Sequence, residues 1–406
     1  MTLLEPLTLR DYALGIYDGP HATPKESSEG AIFLGIKNIT DDGRLDFSEV
    51  RHVSEDEFPR WTRRVTPQPG DVVLTYEATL HRYAVIPEGF RGCLGRRIAL
   101  VRPDPEKADS RFLLYYFLSD GWRRVVESFV ITGATVDRIP LEKLPEFPAA
   151  LPKLSVQRII ASTLSAYDDL IENNRRRMVL LEEAARLLYQ EWFVRLRFPG
   201  HEHTRLVNGR PVGWERKPLM ELCKSLDYGY TASAEREQVG PKFLRITDIV
   251  PSVIDWASVP HCQIQDERRE TLRLEEGDIV VARTGATVGY AKRLHKRHPE
   301  TVFASYLVRL RLKAEVDNIM VGVFVESDTY KNYVRSRVGG AAQPNANARV
   351  LAAAEILVPL PGIQRHFHEL VEPFIDESEV LQLQNEKLKT ARDLLLPRLI
   401  DGEIAV

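Results

Sequence analysis

The chain has 406 residues, of which 44% are hydrophobic and 28% charged, with a formal net charge of −3. That length and balance predict a globular protein of two or more domains, and the net charge alone gives no pointer to nucleic acid. No run of 18 apolar residues occurs and the opening MTLLEPLTLRDYALG lacks the basic-then-apolar order of a signal peptide, so neither a membrane span nor a leader is expected, and the scattered Cys93, Cys223 and Cys262 read as free thiols of a reducing cytoplasm.

Residues 1–150 read as a mixed α/β domain. DGPHAT (18–23) is turn chemistry and AIFLGIKNIT (31–40) a strand; an acidic stretch from Asp41 to Glu57 follows. In PGDVVLTYEATLHRYAVIPEG (69–89) a Pro-Gly-Asp turn feeds a strand, a short polar loop and a second strand. RRIALVRPD (96–104) is a further strand, FLLYYFLSDGWRRVVESFV (112–130) a helix, and TGAT (132–135) a turn.

A long seam comes next. Ile160, Leu164, Tyr167, Ile171, Asn174, Met178, Leu181, Ala185, Leu188 and Trp192 follow one another in alternating steps of four and three, apolar except for Asn174 and uninterrupted by Gly or Pro. That spacing is a coiled-coil seam, and the helix carrying it spans roughly 50 Å at 1.5 Å per residue. Asn174 is read as fixing helix register. Trp192 and Phe193 close the helix, as anchors for a partner or as plain core.

After a linker, FPGHEHTRLVNGRPVG (198–213), the order of the first half returns. KFLRITDIV (242–250) matches FLGIKNIT, EGDIVVARTGATVGYAK (276–292) matches PGDVVLTYEATLHRYAV, and ASYLVRLRLK (304–313) matches GRRIALVRPD. NIMVGVFVESDTYKNYVRSR (318–337) matches the earlier helix, and GGAAQPNANARV (339–350) takes the place of TGAT. A second, rougher seam then runs from Phe367 through Val371, Phe374, Ser378, Leu381, Asn385, Leu388, Arg392 and Leu395 to Leu399. Pro152, Gln157, Arg158, Leu181 and Leu188 recur as Pro359, Gln364, Arg365, Leu388 and Leu395, a constant offset of 207 residues. The arrangement is domain, helix, domain, helix: an internal repeat of half the chain.

Charge clusters the same way in both halves. Arg60 to Arg102 holds eight basic and three acidic residues, and Ala282 to Lys313 holds eight basic and one acidic. Basic residues around a strand–loop–strand are what phosphate contacts require; the alternative is a sheet edge blunted by charge. Motifs of catalysis are missing. The sequence has no Pro-Pro dipeptide, no GxGxxG or GxxxxGK loop, no GxSxG, no HExxH and no CxxC. The close histidine pairs, His201/His203 and His366/His368, are not expected to bind metal, the second because residues two apart on a helix face different ways.

These residues carry a resemblance. LPKLSVQRIIASTLSAYDDLIENNRRRMVLLEEAARLLYQEWFVRL (151–196) and, distally, PLPGIQRHF with QNEKLKTARDLLLPRLIDGEI (384–404) resemble the two spacer regions of the specificity subunits of type I restriction-modification systems. The Gly-Asp loops at Gly70–Asp71 and Gly277–Asp278 fit the target-recognition domains of that family, and Gly285-Ala286-Thr287-Val288-Gly289 is close to its Gly-Thr-x-Gly loop. Ala78-Thr79-Leu80-His81 departs from that loop, since both glycines are missing, which weighs against a tight backbone approach to DNA there. The fold class expected is α+β: two α/β target-recognition domains separated by two long helices forming an antiparallel coiled coil, with an internal pseudo-twofold repeat. The expected bounds are 1–151 for the first recognition domain, 152–198 for the central spacer helix, 199–358 for the second recognition domain and 359–406 for the distal helix.

The resemblance implies a non-catalytic subunit that binds a bipartite double-stranded DNA target in the cytoplasm, with the helices setting the gap between half-sites. It implies two methyltransferase subunits and restriction (motor-nuclease) subunits as partners. No cofactor is bound directly, S-adenosylmethionine being expected in the methyltransferase subunits. The candidate DNA-binding residues are Tyr76, Thr79, His81 and Arg82 in the first loop and Arg283, Thr284, Thr287 and Tyr290 in the second. Gln343, Asn345 and Asn347, in a Gly/Asn-rich turn, join them, with Thr23 and Thr231 as weaker candidates; Arg suits guanine, and Asn or Gln adenine. Two other readings stay open: a recognition subunit of a system whose partner fuses methyltransferase and nuclease, and a coiled-coil scaffold that binds no DNA.

Overall fold

The computed structural model describes residues 7–25, 27–132, 136–251, 253–338 and 344–404, which fall into two compact units, 1–172 with 385–406 and 173–384. Gln343 and most of the TGAT turn lie outside the described residues.

In the first unit, β1 (Ala13–Asp18), β4 (Val72–Thr75), β5 (Tyr83–Val85) and β7 (Ile98–Pro103) form an antiparallel sheet in the order β1-β7-β4-β5. Three shorter strands, β2 (Ala31–Leu34), β3 (Arg51–Val53) and β6 (Gly92–Leu94), form a second sheet in which β2 and β6 run parallel. Successive strand residues face opposite sides. Val72, Leu74, Ala99 and Val101 pack under Leu113, Phe117 and Trp122, while Val73, Ile98 and Leu100 pack against Leu34, Ile39 and Ile86. With both faces covered, VVLT and IALV read as continuous apolar runs and not as alternating ones. Trp61, on the one-turn helix α1 (Phe58–Trp61), meets Phe33 edge-on at 5.7 Å.

The helix expected over 112–130 is two helices, α2 (Ser110–Leu118) and α3 (Asp120–Phe129). Ser119 breaks them: its ψ of 153° is extended and its Oγ accepts from the Trp122 N–H at 3.2 Å. A serine in that role is an N-cap, worth about 1 kcal/mol. The strand expected over 31–40 stops at Leu34 because buried Asn38 turns the chain, accepting from the Gly35 N–H and donating to the Asp46 and Glu49 carbonyls, each at 2.9 Å.

The central helix α4 (Leu154–Tyr189) starts in this unit. Ile160 and Leu164 pack with Phe112 and with Leu399 near the end of the distal helix (Pro361–Ile400). Here the start of one helix therefore lies beside the end of the other. Arg392, which breaks the apolar spacing of the distal seam, is ion-paired with Asp168 of α4.

The second unit repeats the first. The linker holds a hairpin, β8 (Leu206–Val207) with β9 (Arg210–Pro211), and β10 (Glu215–Pro218) precedes α5 (Leu219–Leu222). Next come β11 (Cys223–Tyr228), β12 (Lys242–Leu244), the short helices α6 (Ile246–Ile249) and α7 (Asp266–Leu272), β13 (Ile279–Ala282), β14 (Ala291–Arg293), β15 (Thr301–Phe303) and β16 (Leu307–Leu312). The helices α8 (Asn318–Val325), α9 (Asp328–Val338) and α10 (Ala348–Ala352) follow, then β17 (Glu355–Val358), paired with β10, and the distal helix, α11. The main sheet runs β11-β16-β13-β14, the order of the first unit, and β12 pairs β15 in parallel as β2 pairs β6. Even the irregularity recurs, with a register shift at Ala13/Gly15 against β7 and at Cys223/Ser225 against β16. Two expectations need correcting here as well: KFLRITDIV is a strand only to Leu244 and then α6, and residues 318–337 are α8 and α9, not one helix.

All ten seam positions of α4 and its extension are buried or half-buried, whereas Leu180 and Leu187, off the seam, are 63% and 51% exposed. After Tyr189 the helix widens to a π turn, Gln190–Val194, in which the Arg195 N–H reaches back five residues to the Gln190 carbonyl at 2.8 Å. The inserted residue lets adjacent Trp192 and Phe193 both point inward, each 5% exposed. They meet Phe367 at ring centroids 5.8 and 4.9 Å apart, and His366 stacks on Trp192. Their role is core packing, and here the end of α4 lies beside the start of α11.

The Gly-Asp loops prove to be structural. Gly70 and Gly277 take φ of 88° and 82°, a left-handed turn that favours glycine. Asp71 and Asp278, each 2% exposed, then face a strand arginine. Arg102 Nε and Nη2 donate to Asp71 Oδ1 and Oδ2 at 2.8 and 2.7 Å, and Arg311 meets Asp278 at the same distances. The same carboxylates accept from the Gln68 and Glu275 backbone N–H at 2.7 and 2.8 Å.

Candidate nucleic-acid interface

The loops at one end of each main sheet converge on three backbone segments. In the first unit these are the β4–β5 loop, the β6–β7 turn and residues 137–139. The Tyr76 N–H donates to the Arg97 carbonyl at 3.1 Å, Ile139 to Tyr76 at 2.8 Å and Ala78 to Asp137 at 3.2 Å. In the second unit Arg283 donates to Tyr306 at 2.9 Å, Ala346 to Arg283 at 2.8 Å and Gly285 to Pro344 at 3.0 Å. The two corners are therefore one construction. They pair Tyr76 with Arg283, Arg97 with Tyr306, and Arg138 with Asn345.

The missing glycines of the first loop leave the backbone shape intact. Ala78 and His81 take φ of 70° and 62°, where the second loop has Gly285 at 78° and Gly289 at 87°. The chain adopts the same left-handed turns and bears the strain of a Cβ at two of them.

The first-loop candidates are placed unevenly. Tyr76 is 5% exposed and its buried hydroxyl has no hydrogen-bond partner among the described residues; burial, then the charges of Asp18 and Glu77, pushes its pKa up. Thr79 is half-buried beside exposed Ala78. His81 is half-buried, with its Nδ1 enclosed and its Nε2 3.9 Å from Glu127; burial, then Arg123, lowers its pKa. Arg82 donates to the Ile39 carbonyl at 3.2 Å. Thr23 and Thr231 are exposed.

The second-loop candidates lie closer together. Arg283 lies over the Tyr228 ring at 4.9 Å, and its Nη2 donates to Asn345 Oδ1 at 3.1 Å. Thr284 bridges to Asn345 across an antiparallel backbone pair, and the Thr287 carbonyl accepts from Tyr290. The Tyr290 ring carries Lys331 at 4.9 Å and Arg335 at 5.9 Å. Tyr228 and Tyr306, 45% and 59% exposed, complete the corner. Asn347 serves elsewhere: its Oδ1 caps α10 by accepting from the Val350 N–H at 2.9 Å.

Much of the basic clustering seen in the sequence is consumed inside the fold. Arg102 and Arg311 hold the buried aspartates. Arg309, 3% exposed, binds Asp227 at 2.8 Å; Lys292 pairs with Glu326 at 3.1 Å; Arg293 donates to Asn318 at 2.8 Å. Lys296 pairs with Glu372 at 3.0 Å. At the first corner Arg97 Nε lies 3.0 Å from Glu77, Arg64 pairs with Asp18, and Arg96 and Arg138 are exposed. Arg97 is the corner residue that loop-by-loop sequence reading passed over. It sits in a turn at φ 73°, and its only signal was the Arg-Arg pair before a strand.

A family model described as the type I restriction modification DNA specificity domain matches residues 28–183. The chain is 24% identical over 406 residues to the type I restriction enzyme MjaIX specificity subunit of Methanocaldococcus jannaschii, across 96% of this chain and 87% of that protein. It is 29% identical over 420 residues to the putative type I restriction enzyme MjaX specificity subunit of the same organism, across 98% and 93%. The crystal structure of the type I restriction-modification S subunit from M. genitalium superposes with a TM-score of 0.50 at 15% identity over 98% of both chains, a likeness of fold. The chain thus carries a match to the type I specificity domain over residues 28–183 and is similar over nearly its whole length to specificity subunits of type I restriction-modification systems.

Proposed function

We propose that the chain supplies sequence specificity to a type I restriction-modification complex by binding double-stranded DNA, each unit reading one half of a split target. The observation that carries this reading is the repeated corner: two units of one topology each present cations and aromatic or amide groups on the same three loop segments. Arg96 and Arg138 on one side, and Lys331 and Arg335 of α9 on the other, supply charge for phosphates. Thr79, Thr284, Thr287, Tyr290 and Asn345 supply polar groups for backbone or base edges. In this reading the chain does no chemistry itself. It docks two methyltransferase subunits, which hold S-adenosylmethionine, and restriction subunits. The assembled complex, given a pool of random duplexes, should enrich a split motif with affinity that falls steeply as salt rises. Enrichment of no motif would overturn the reading.

A further inference from the structure

Four arginines beside the main sheets fall into two kinds. Arg102 and Arg311 spend Nε and one Nη on a carboxylate that is itself 2% exposed. Arg97 and Arg283 are held differently. Arg97 lies nearest Glu77 through Nε, at 3.0 Å in a geometry that leaves Nε without a hydrogen bond, and neither of its Nη groups is hydrogen-bonded among the described residues. Arg283 is steadied by the Tyr228 ring beneath it, by Asn345 on one Nη and by the Ala346 carbonyl on Nε at 3.4 Å; its other Nη has no bond among the described residues. Both side chains are part-exposed, oriented by neighbours and still able to donate.

Their positions are exchanged. At the two facing backbone positions the second unit has Arg on the strand loop and an aromatic, Tyr306, on the turn. The first has an aromatic, Tyr76, on the strand loop and Arg on the turn. Each corner thus keeps one guanidinium and one aromatic ring while their supports are swapped. Arg97 holds its place at φ 73°, a strain that lysine would share and glycine would relieve, so backbone stability does not explain an arginine there. A planar guanidinium oriented by its neighbours, with at least one Nη unbonded among the described residues, suits a guanine O6/N7 edge, which a lysine cannot contact bidentately.

We propose that Arg97 and Arg283 are the specificity-determining residues of the two units, each reading a guanine in its own half-site; this rests on the DNA-reading function proposed above. The test is selection from random duplexes by the assembled complex, carrying in turn Arg97→Ala, Arg97→Lys, Arg283→Ala and Arg283→Lys. Each variant should relax one guanine position in one half-site and leave the other half unchanged, with affinity for the original target lowered roughly five- to hundredfold. The lysine variants, which keep the charge and disturb folding least, should relax the same positions and retain non-specific binding. Unchanged motifs in the lysine and alanine variants, or a uniform loss across both half-sites, would overturn the inference while leaving the wild-type split motif, and so the function, standing. A wild-type complex that selects no motif would overturn the function and this inference with it.

Discussion

Replacing Asp71 by Ala should destabilise the first unit by about 3 kcal/mol, and the equivalent Asp278→Ala should cost the second about 5 kcal/mol. Asp71 receives two donors from Arg102 and one from the Gln68 N–H, and each hydrogen bond to a charged group is worth roughly 1.5–3 kcal/mol. Arg102 would not be wholly stranded, because 22% of its side chain reaches water, which puts the cost at the low end. Asp278 also faces Arg309 at 3.9 Å, whose side chain is 4% exposed, so two guanidiniums lose a counter-charge and the cost rises. Urea unfolding of the full chain, with hydrogen exchange read peptide by peptide, assigns each loss to its unit. Arg102→Met alone should cost nearly as much as Asp71→Ala. The double variant should recover about 2 kcal/mol of their sum, since removing both partners leaves no buried charge. Strict additivity, or a loss below about 1 kcal/mol for Asp71→Ala, would refute the reasoning. Arg102→Met should also leave the salt dependence of DNA binding untouched, because its charge is spent internally.

Gln157→Ala should cost about 2–3 kcal/mol, since this fully buried amide accepts from the Asp109 N–H and donates to the Lys107 and Pro152 carbonyls. The repeat position Gln364, half-buried with one bond to the Pro359 carbonyl, should cost about 1 kcal/mol when cut to Ala; thermal melts of the two variants check the ordering. Ala78→Gly should raise stability by roughly 0.5–1 kcal/mol, the relief of a left-handed Cβ exceeding the extra entropy of the unfolded chain. His295, whose Nδ1 accepts from Arg293 Nη2 at 2.9 Å, is held neutral. Burial, then the Arg293 and Lys292 charges, lowers its pKa to about 3. A depressed folded pKa means stability that is whole above the unfolded value and lost as pH falls below it. The second unit should therefore weaken from about pH 6.5 downward, by less than 1.36 kcal/mol per pH unit because 39% of the side chain meets solvent. His295→Gln should flatten that slope in urea unfolding series; an unchanged slope would assign it elsewhere.

The repeat was legible because its marks are periodic and covalent. The heptad spacing of α4, the offset that ties Gln157 to Gln364, and the paired Gly-Asp turns all survive in one dimension. What was not legible depends on local hydrogen bonds or on distant partners. Ser119 caps and splits a continuous helical pattern, and Asn38 halts an apolar strand. The π turn at Gln190–Val194 leaves no trace except two adjacent aromatics that both need burial. Charge misled for a related reason: Arg102, Arg309 and Arg311 look like a phosphate-binding stripe until the buried carboxylates opposite them are seen. Among the candidates, Arg283, Thr284, Tyr290 and Asn345 converge on one corner, Tyr76 is buried and Asn347 is a helix cap. Arg97 escaped because its neighbour across the corner, the β4–β5 loop, is about 20 residues away in sequence and is joined to it only by a backbone hydrogen bond.

The central claim is that this chain chooses where on DNA its complex acts. The direct measurement is to express it with a type I methyltransferase subunit from the same genome and to map methylated adenines by long-read sequencing, with and without this chain. A split motif methylated only when the chain is present is the result expected. The same methylation without the chain, or none from a complex shown to be assembled, would contradict the claim.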